Sequence, residues 1–163
     1  MLNRRTLVIF ASVVALVALA VPFTAFVIVP QLVRSTLVEE LPVRPVASAT
    51  GSTQEAVTTI VSGMLVRISV ADYGTGTVRI VKIGESQVLR FDNVDIAGAP
   101  DTYVYLSDRT DGSPGTFTDL GKLKATNGSF NYVIPAGTNV GAVRSVVLWC
   151  RQFSVTITYA ILK

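Results

Sequence analysis

The chain has 163 residues, half of them hydrophobic and only 15% charged, with a formal net charge of +3. It contains no histidine and a single cysteine. That composition removes the ordinary zinc site, the serine–histidine and cysteine–histidine catalytic pairs, the histidine-ligated haem and any intrachain disulfide.

Arg4 and Arg5 precede a run without charge from residue 6 to residue 33, 28 residues long. About 20 apolar residues cross a bilayer core as a helix, so the run predicts one transmembrane helix. Pro22 is expected to kink it and Pro30 to mark its end. Two arginines ahead of the run place residues 1–5 inside the cytoplasm and the rest of the chain outside, as a single-pass protein of the cell membrane. Ala18-Leu19-Ala20 offers the small-x-small site of a cleaved signal peptide. Such peptides have apolar cores of about 7–15 residues, whereas this one runs on well past Ala20, which favours an uncleaved signal anchor with the lipid bilayer as partner.

Residues 34–58 read as an extracytoplasmic linker. Pro42 and Pro45 stiffen it, Gly51 and Ser52 loosen it, and residues 36–41 are suited to a short helix with Glu39 and Glu40 in solvent. From Arg34 onward there are twelve Lys and Arg against eleven Asp and Glu. No basic block is interleaved with aromatics, so no nucleic-acid partner is expected.

Residues 59–163 have the pattern of a β domain. Alternation over residues 64–70 and 77–83, a turn at residues 72–76, and a brief strand at residues 88–91 continuing to residue 96 suggest successive antiparallel strands. Residues 102–107 alternate Tyr103 and Tyr105 with Val104 and Leu106. A Gly- and Pro-bearing loop follows at residues 108–116, then isolated anchors at Phe117, Leu120 and Leu123. Asn127-Gly128-Ser129 fits the glycosylation acceptor pattern, and more simply an Asn-Gly turn before a strand at residues 130–134. The expected fold is all-β, an antiparallel sandwich or distorted barrel, preceded by the transmembrane helix.

The last segment, VVLWCRQFSV (residues 146–155), holds the only tryptophan beside the only cysteine. Arg151 interrupts an apolar parity set formed by Val147, Trp149, Phe153, Val155, Ile157 and Tyr159. A charge there is costly unless turned outward, so a bend or bulge is expected at Arg151-Gln152, with Cys150 at a strand end or rim. Cys150 then has two readings. It is a small buried hydrophobe, or a reactive thiol that needs access and a nearby cation such as Arg151, Lys122 or Lys124. Met64 is expected in the core. Asp92, Asp95, Asp108 and Asp111 lack an EF-hand spacing, so calcium is not expected.

Four blocks in order, GAPDTYVYLS (residues 98–107), LGKLK (120–124), NYVIPAG (131–137) and VVLWCRQFSV (146–155), resemble the DM-thirteen domain. That electron-transfer domain occurs near DOMON domains in animal surface proteins and alone in bacterial envelope proteins. The resemblance spans about residues 60–162. It implies a redox or electron-transfer role centred on Cys150, as free thiol or as ligand to a prosthetic group such as haem, with Trp149 and Asp101 beside the cofactor and a redox protein as partner. Two departures stand out: Asp72-Tyr73 replaces a histidine found in many members, and Ala99 separates the glycine and proline of the family's turn.

Asp101 has a simpler role open to it, fixing the turn before Thr102, and Trp149, Tyr103, Tyr105 and Phe153 fit sandwich packing as well as cofactor contact. The leading expectation is therefore a membrane-anchored redox domain. The alternative is a noncatalytic binding or structural module of the cell envelope in which Cys150 only packs.

Overall fold

The computed structural model describes residues 4–23, 34–43, 45–48, 51–54 and 56–163. Helix α1 (Arg4–Phe23) is followed by β1 (Thr36–Val38), the hairpin of β2 (Pro45–Ser48) and β3 (Gly51–Gln54), and β4 (Val57–Met64). Then come β5 (Gly74–Ile83), β6 (Ser86–Ile96), β7 (Thr102–Ser107), β8 (Phe117–Lys122), β9 (Asn127–Val133), β10 (Ser145–Cys150) and β11 (Val155–Ile161). One sheet has the order β1-β9-β6-β5-β4 and the other β11-β10-β7-β8. All pairings in these two sheets are antiparallel except β1 with β9, which is parallel.

Period-two alternation sends one side chain in two to the space between the sheets. Val78 and Ile80 of β5, Leu89 and Phe91 of β6, and Phe130 of β9 meet Val104 and Leu106 of β7 and Val146, Leu148 and Cys150 of β10 in one core. Phe91 and Phe130 stack at 4.9 Å between centroids, and Tyr132 meets Phe91 edge-on. Aromatic pairs of this geometry add roughly 0.5–1.5 kcal/mol beyond area burial.

Residues 34–43 form a strap over the first sheet. Ser35 exchanges hydrogen bonds with Thr126 and Asn127, and Leu37 packs on the core. Farther along, Leu41 and Val43 cover Val81, Ile83 and Val88, which face outward from that sheet and form a second small cluster. Glu39 lies between these two attachments. Its carboxylate accepts the Asn131 amide N–H at 2.8 Å and pairs with Lys124 at 3.1 Å, while its carbonyl accepts from Arg90 at 2.6 Å. Where the strap crosses β9 the chain carries Gly128, at φ +108°, because a Cβ there would collide with the Leu37 carbonyl oxygen.

Several expectations are corrected. The sheets form a sandwich and no closed barrel. Among the described residues no helix is long and apolar enough to cross a membrane. Helix α1 is 20 residues long and begins with Arg4 and Arg5. Its uncharged part, residues 6–23, spans only about 27 Å at 1.5 Å per residue, against a hydrocarbon core of about 30 Å. The remainder of the uncharged run, residues 24–33, lies outside the described residues. The transmembrane anchor, the lipid-bilayer partner and the single-pass location in the cell membrane are thereby overturned.

Smaller differences have local causes. Residues 36–38 are a strand, because β9 offers its edge and Leu37 a core contact. Met64 is 71% exposed, since Val61 and Gly63 of the edge strand β4 face inward after a register shift between Thr59 and Val61. Asn127-Gly128 opens β9 opposite Thr36 and Leu37 and is no turn.

Candidate functional site

Strand β10 carries the candidate residues, and its pairing decides where each one points. Along its whole length it is in regular antiparallel register with β7, from Ser145 opposite Ser107 to Cys150 opposite Thr102. The register shift lies on its other side, against β11, between Leu148 and Trp149. Regular pairing with β7 fixes Val146, Leu148 and Cys150 on the core face and Val147 and Trp149 on the opposite face. Cys150 ends the strand, as the sequence suggests, yet it is 0% exposed and unpaired by any disulfide. A rim position and solvent access are separate properties here.

The cations expected to activate the thiol are directed away from it. Arg151 follows Cys150 in a four-residue turn, residues 151–154, and its amide N–H donates to the Asp101 carbonyl at 3.0 Å. The Arg151 guanidinium lies 3.4 Å from the Tyr103 ring centroid, donates to the Tyr105 hydroxyl at 2.7 Å and pairs with Asp119. The hydrogen bond to Tyr105, with a lesser one to Asp119, raises its pKa above the ordinary arginine value and outweighs the opposing effect of desolvation. Tyr103 and Tyr105 belong to the outer face of β7, so the sheet itself separates this charge from the sulfur. Lys122 pairs with Asp101 at 3.2 Å and Lys124 with Glu39, so LGKLK supplies no positive field to Cys150 either.

Asp101, in the turn before β7, therefore acts through its carboxylate on Lys122 and through its carbonyl on the Arg151 amide. Trp149, half-buried on the outer face of the sheet, lines a cavity of ≈ 590 Å³ with residues of three other segments, 66–68, 111–112 and 154–159. A second cavity of ≈ 240 Å³ is bounded by Asp101, Lys122 and the residues 98–100 turn. Cys150 lines neither. The three candidates are neighbours in the fold, but the structure does not bring their side chains into one site.

A haem thiolate needs its sulfur to face a cavity that admits the macrocycle. Cys150 instead packs in the apolar core with Val104, Val146 and Leu148, and Met64 stands exposed on an edge strand. These residues do not fit the group. The acidic residues also have separate roles. Asp92 is held between Arg79 and Arg90, Asp95 pairs with Arg34, Asp108 accepts the Thr116 amide N–H, and Asp111 accepts from Ser113. Among the described residues no cluster of three potential metal ligands occurs.

Sequence reading did not find the partners Arg67, Asp111 and Tyr159 of the Trp149 cavity. Tyr159 shares parity with Trp149, which was a usable signal. Arg67 and Asp111 are brought in by loops, for which alternation is silent. The Phe117–Lys122 stretch, read as isolated anchors, is a strand whose Phe117 stacks on Tyr105 at 4.0 Å.

No curated protein and no solved structure matches the chain. A family model does, over residues 68–162, described as Electron transfer DM13. That match takes in β5 to β11, both sheets' central strands and the Trp149-Cys150 pair, and covers more than half of the chain, which belongs to the DM13 electron-transfer family.

Proposed function

We propose that this protein is a noncatalytic binding or structural module in which Cys150 serves as core packing. One observation carries the reading: the only thiol of the chain is 0% exposed, on the core face of a strand whose every residue is paired with β7. Thiol chemistry needs a thiolate with access to its partner and a nearby charge or hydrogen bonds to stabilise it. Here the nearest cation in sequence is stacked on tyrosines across the sheet. The expectation of a membrane-anchored redox domain is given up on these grounds. Family membership defines the fold and the residue pattern, while function resides in the particular site.

Maleimide labelling of the native full chain tests the reading. Reaching the sulfur requires opening of the sandwich, and a domain held by about 5 kcal/mol is open roughly once in 10³–10⁴. Native labelling is expected to be slower than labelling in denaturant by about that factor. Native labelling as fast as that of the unfolded chain refutes the assignment.

A further inference from the structure

The Trp149 cavity lies on the side of the β11-β10-β7-β8 sheet away from the thiol, and its chemistry is specific enough to name a ligand class. Trp149 and Tyr159 form its aromatic surface. Tyr103, Tyr105 and Phe117 on the same sheet are engaged with other rings or with cations. By contrast, Trp149 and Tyr159 make no ring or cation contact with any described residue, and neither the indole N–H nor the Tyr159 hydroxyl has a hydrogen-bond partner among them. Half-exposed aromatics with unused polar tips, gathered in one cavity, are the ordinary material of recognition sites.

The polar groups narrow the ligand further. Arg67, Asp111, Ser154 and Thr156 also line the cavity. Asp111 accepts from Ser113 through one carboxylate oxygen, leaving the other without a described partner. Arg67 sits over the Tyr73 ring at 4.6 Å with only a marginal bond to the Ser69 carbonyl. One positive and one negative group disfavour any strongly charged ligand. A purely apolar ligand would desolvate both without compensation. The cavity wall is preformed: the Gly112 carbonyl accepts from Thr156 at 2.7 Å, and a Cβ on Gly112 would fall 2.8 Å from the Tyr159 ring.

We propose that this cavity binds a neutral oligosaccharide. A pyranose ring offers what these residues ask for, an apolar C–H face for the aromatic surface and a rim of uncharged hydroxyls for the carboxylate, the guanidinium and the two side-chain hydroxyls. At ≈ 590 Å³ the cavity is within the common range of small-molecule sites and accommodates more than one sugar ring. This proposal rests on the binding-module reading and supplies its ligand class.

Trp149 is the only tryptophan, so tryptophan emission, excited selectively over the five tyrosines, reports on this cavity alone. The full chain is titrated with cellotriose, maltotriose and N,N′,N″-triacetylchitotriose to roughly 10 mM, an affinity ceiling typical of weak sites. A saturable change in emission with at least one of them is expected. Asp111→Asn and Arg67→Ala, both at exposed positions, are each expected to weaken it about tenfold with the thermal transition preserved. Three results overturn the proposal: no saturable change with any trisaccharide, unchanged affinity in both variants, or saturation only by a charged or purely apolar probe such as an anilinonaphthalene dye. Slow native labelling of Cys150 together with any of these leaves the packing assignment standing as a structural module and removes only the sugar site.

Discussion

Replacing Cys150 by serine and by alanine in the full chain separates a packing thiol from an exposed one through stability alone. The sulfur lies in an apolar core whose nearest cross-strand hydroxyl, Thr102, is turned to the Ala99 carbonyl, and the neighbouring backbone groups are committed to the sheet. Burying a hydroxyl without a hydrogen bond costs about 1–3 kcal/mol by protein mutational data. Alanine removes one heavy atom and leaves a small void, at a cost of about 1 kcal/mol. For a sandwich of this size each kcal/mol lowers Tm by about 4 °C, so serine is expected to lower it by about 4–12 °C and alanine by about 4 °C. Circular dichroism melting under reducing conditions measures the shifts. Urea titration should show a lower midpoint with an unchanged slope, the sign of a stability change without a change of fold. At a solvent-exposed position both substitutions would fall within about 0.5 kcal/mol of the parent. Serine and alanine variants both as stable as the parent would refute the sealed-core argument.

Two further predictions concern the strap. Gly128→Ala forces a Cβ against the Leu37 carbonyl at a φ of +108°, so β1 is expected to detach from β9; hydrogen exchange at Glu39, whose amide bonds to the Ser129 carbonyl, should accelerate at least tenfold while β10 amides keep their protection, and unchanged exchange at Glu39 would refute it. Burial raises the Glu39 carboxyl, but the Asn131 amide and Lys124 outweigh it and hold its pKa below the ordinary 4.5; a depressed carboxylate stabilises the fold above its unfolded pKa and loses that contribution as pH falls through the folded one, so strap protection should fall below about pH 4.5, and Glu39→Gln should flatten this dependence.

Much of the fold was legible in the sequence because the inward residues of β5, β7 and β10 alternate cleanly, as in Val78 and Ile80 or Val104 and Leu106. The register shift that displaced Met64 to the surface leaves no sequence signature, since an extra residue in an edge strand looks like any other. The strap was missed for a different reason. Residues 34–43 carry Arg34, Glu39, Glu40 and Pro42 and alternate weakly, and their structure comes from partners about 90 positions later, Thr126, Asn127 and Asn131. At the candidate site, the strand end at Cys150 and the turn after it followed from Arg151 in an apolar set. Exposure did not follow, because a strand end is covered or open according to what the facing sheet places above it.

Sequence adjacency of Trp149 and Cys150 invites a single site, yet adjacency along a strand is what separates two side chains. Bringing both onto one face would require either a bulge between them or a slip of β10 by one residue. The bulge exists, but it is taken up by β11, and the β7 side stays regular for six consecutive pairs. A slip would reverse the whole strand, moving Val146, Leu148 and Cys150 out of the core together. Exposing two aliphatic side chains of this size costs about 1.5–3 kcal/mol each before any thiol chemistry begins. Fraying from the turn is opposed as well, because the Arg151 amide is bonded to the Asp101 carbonyl and its guanidinium is held by Tyr105 and Asp119. Within the folded state the outer face that carries Trp149 is thus open to a ligand, while Cys150 becomes reachable only when the sheet itself comes apart.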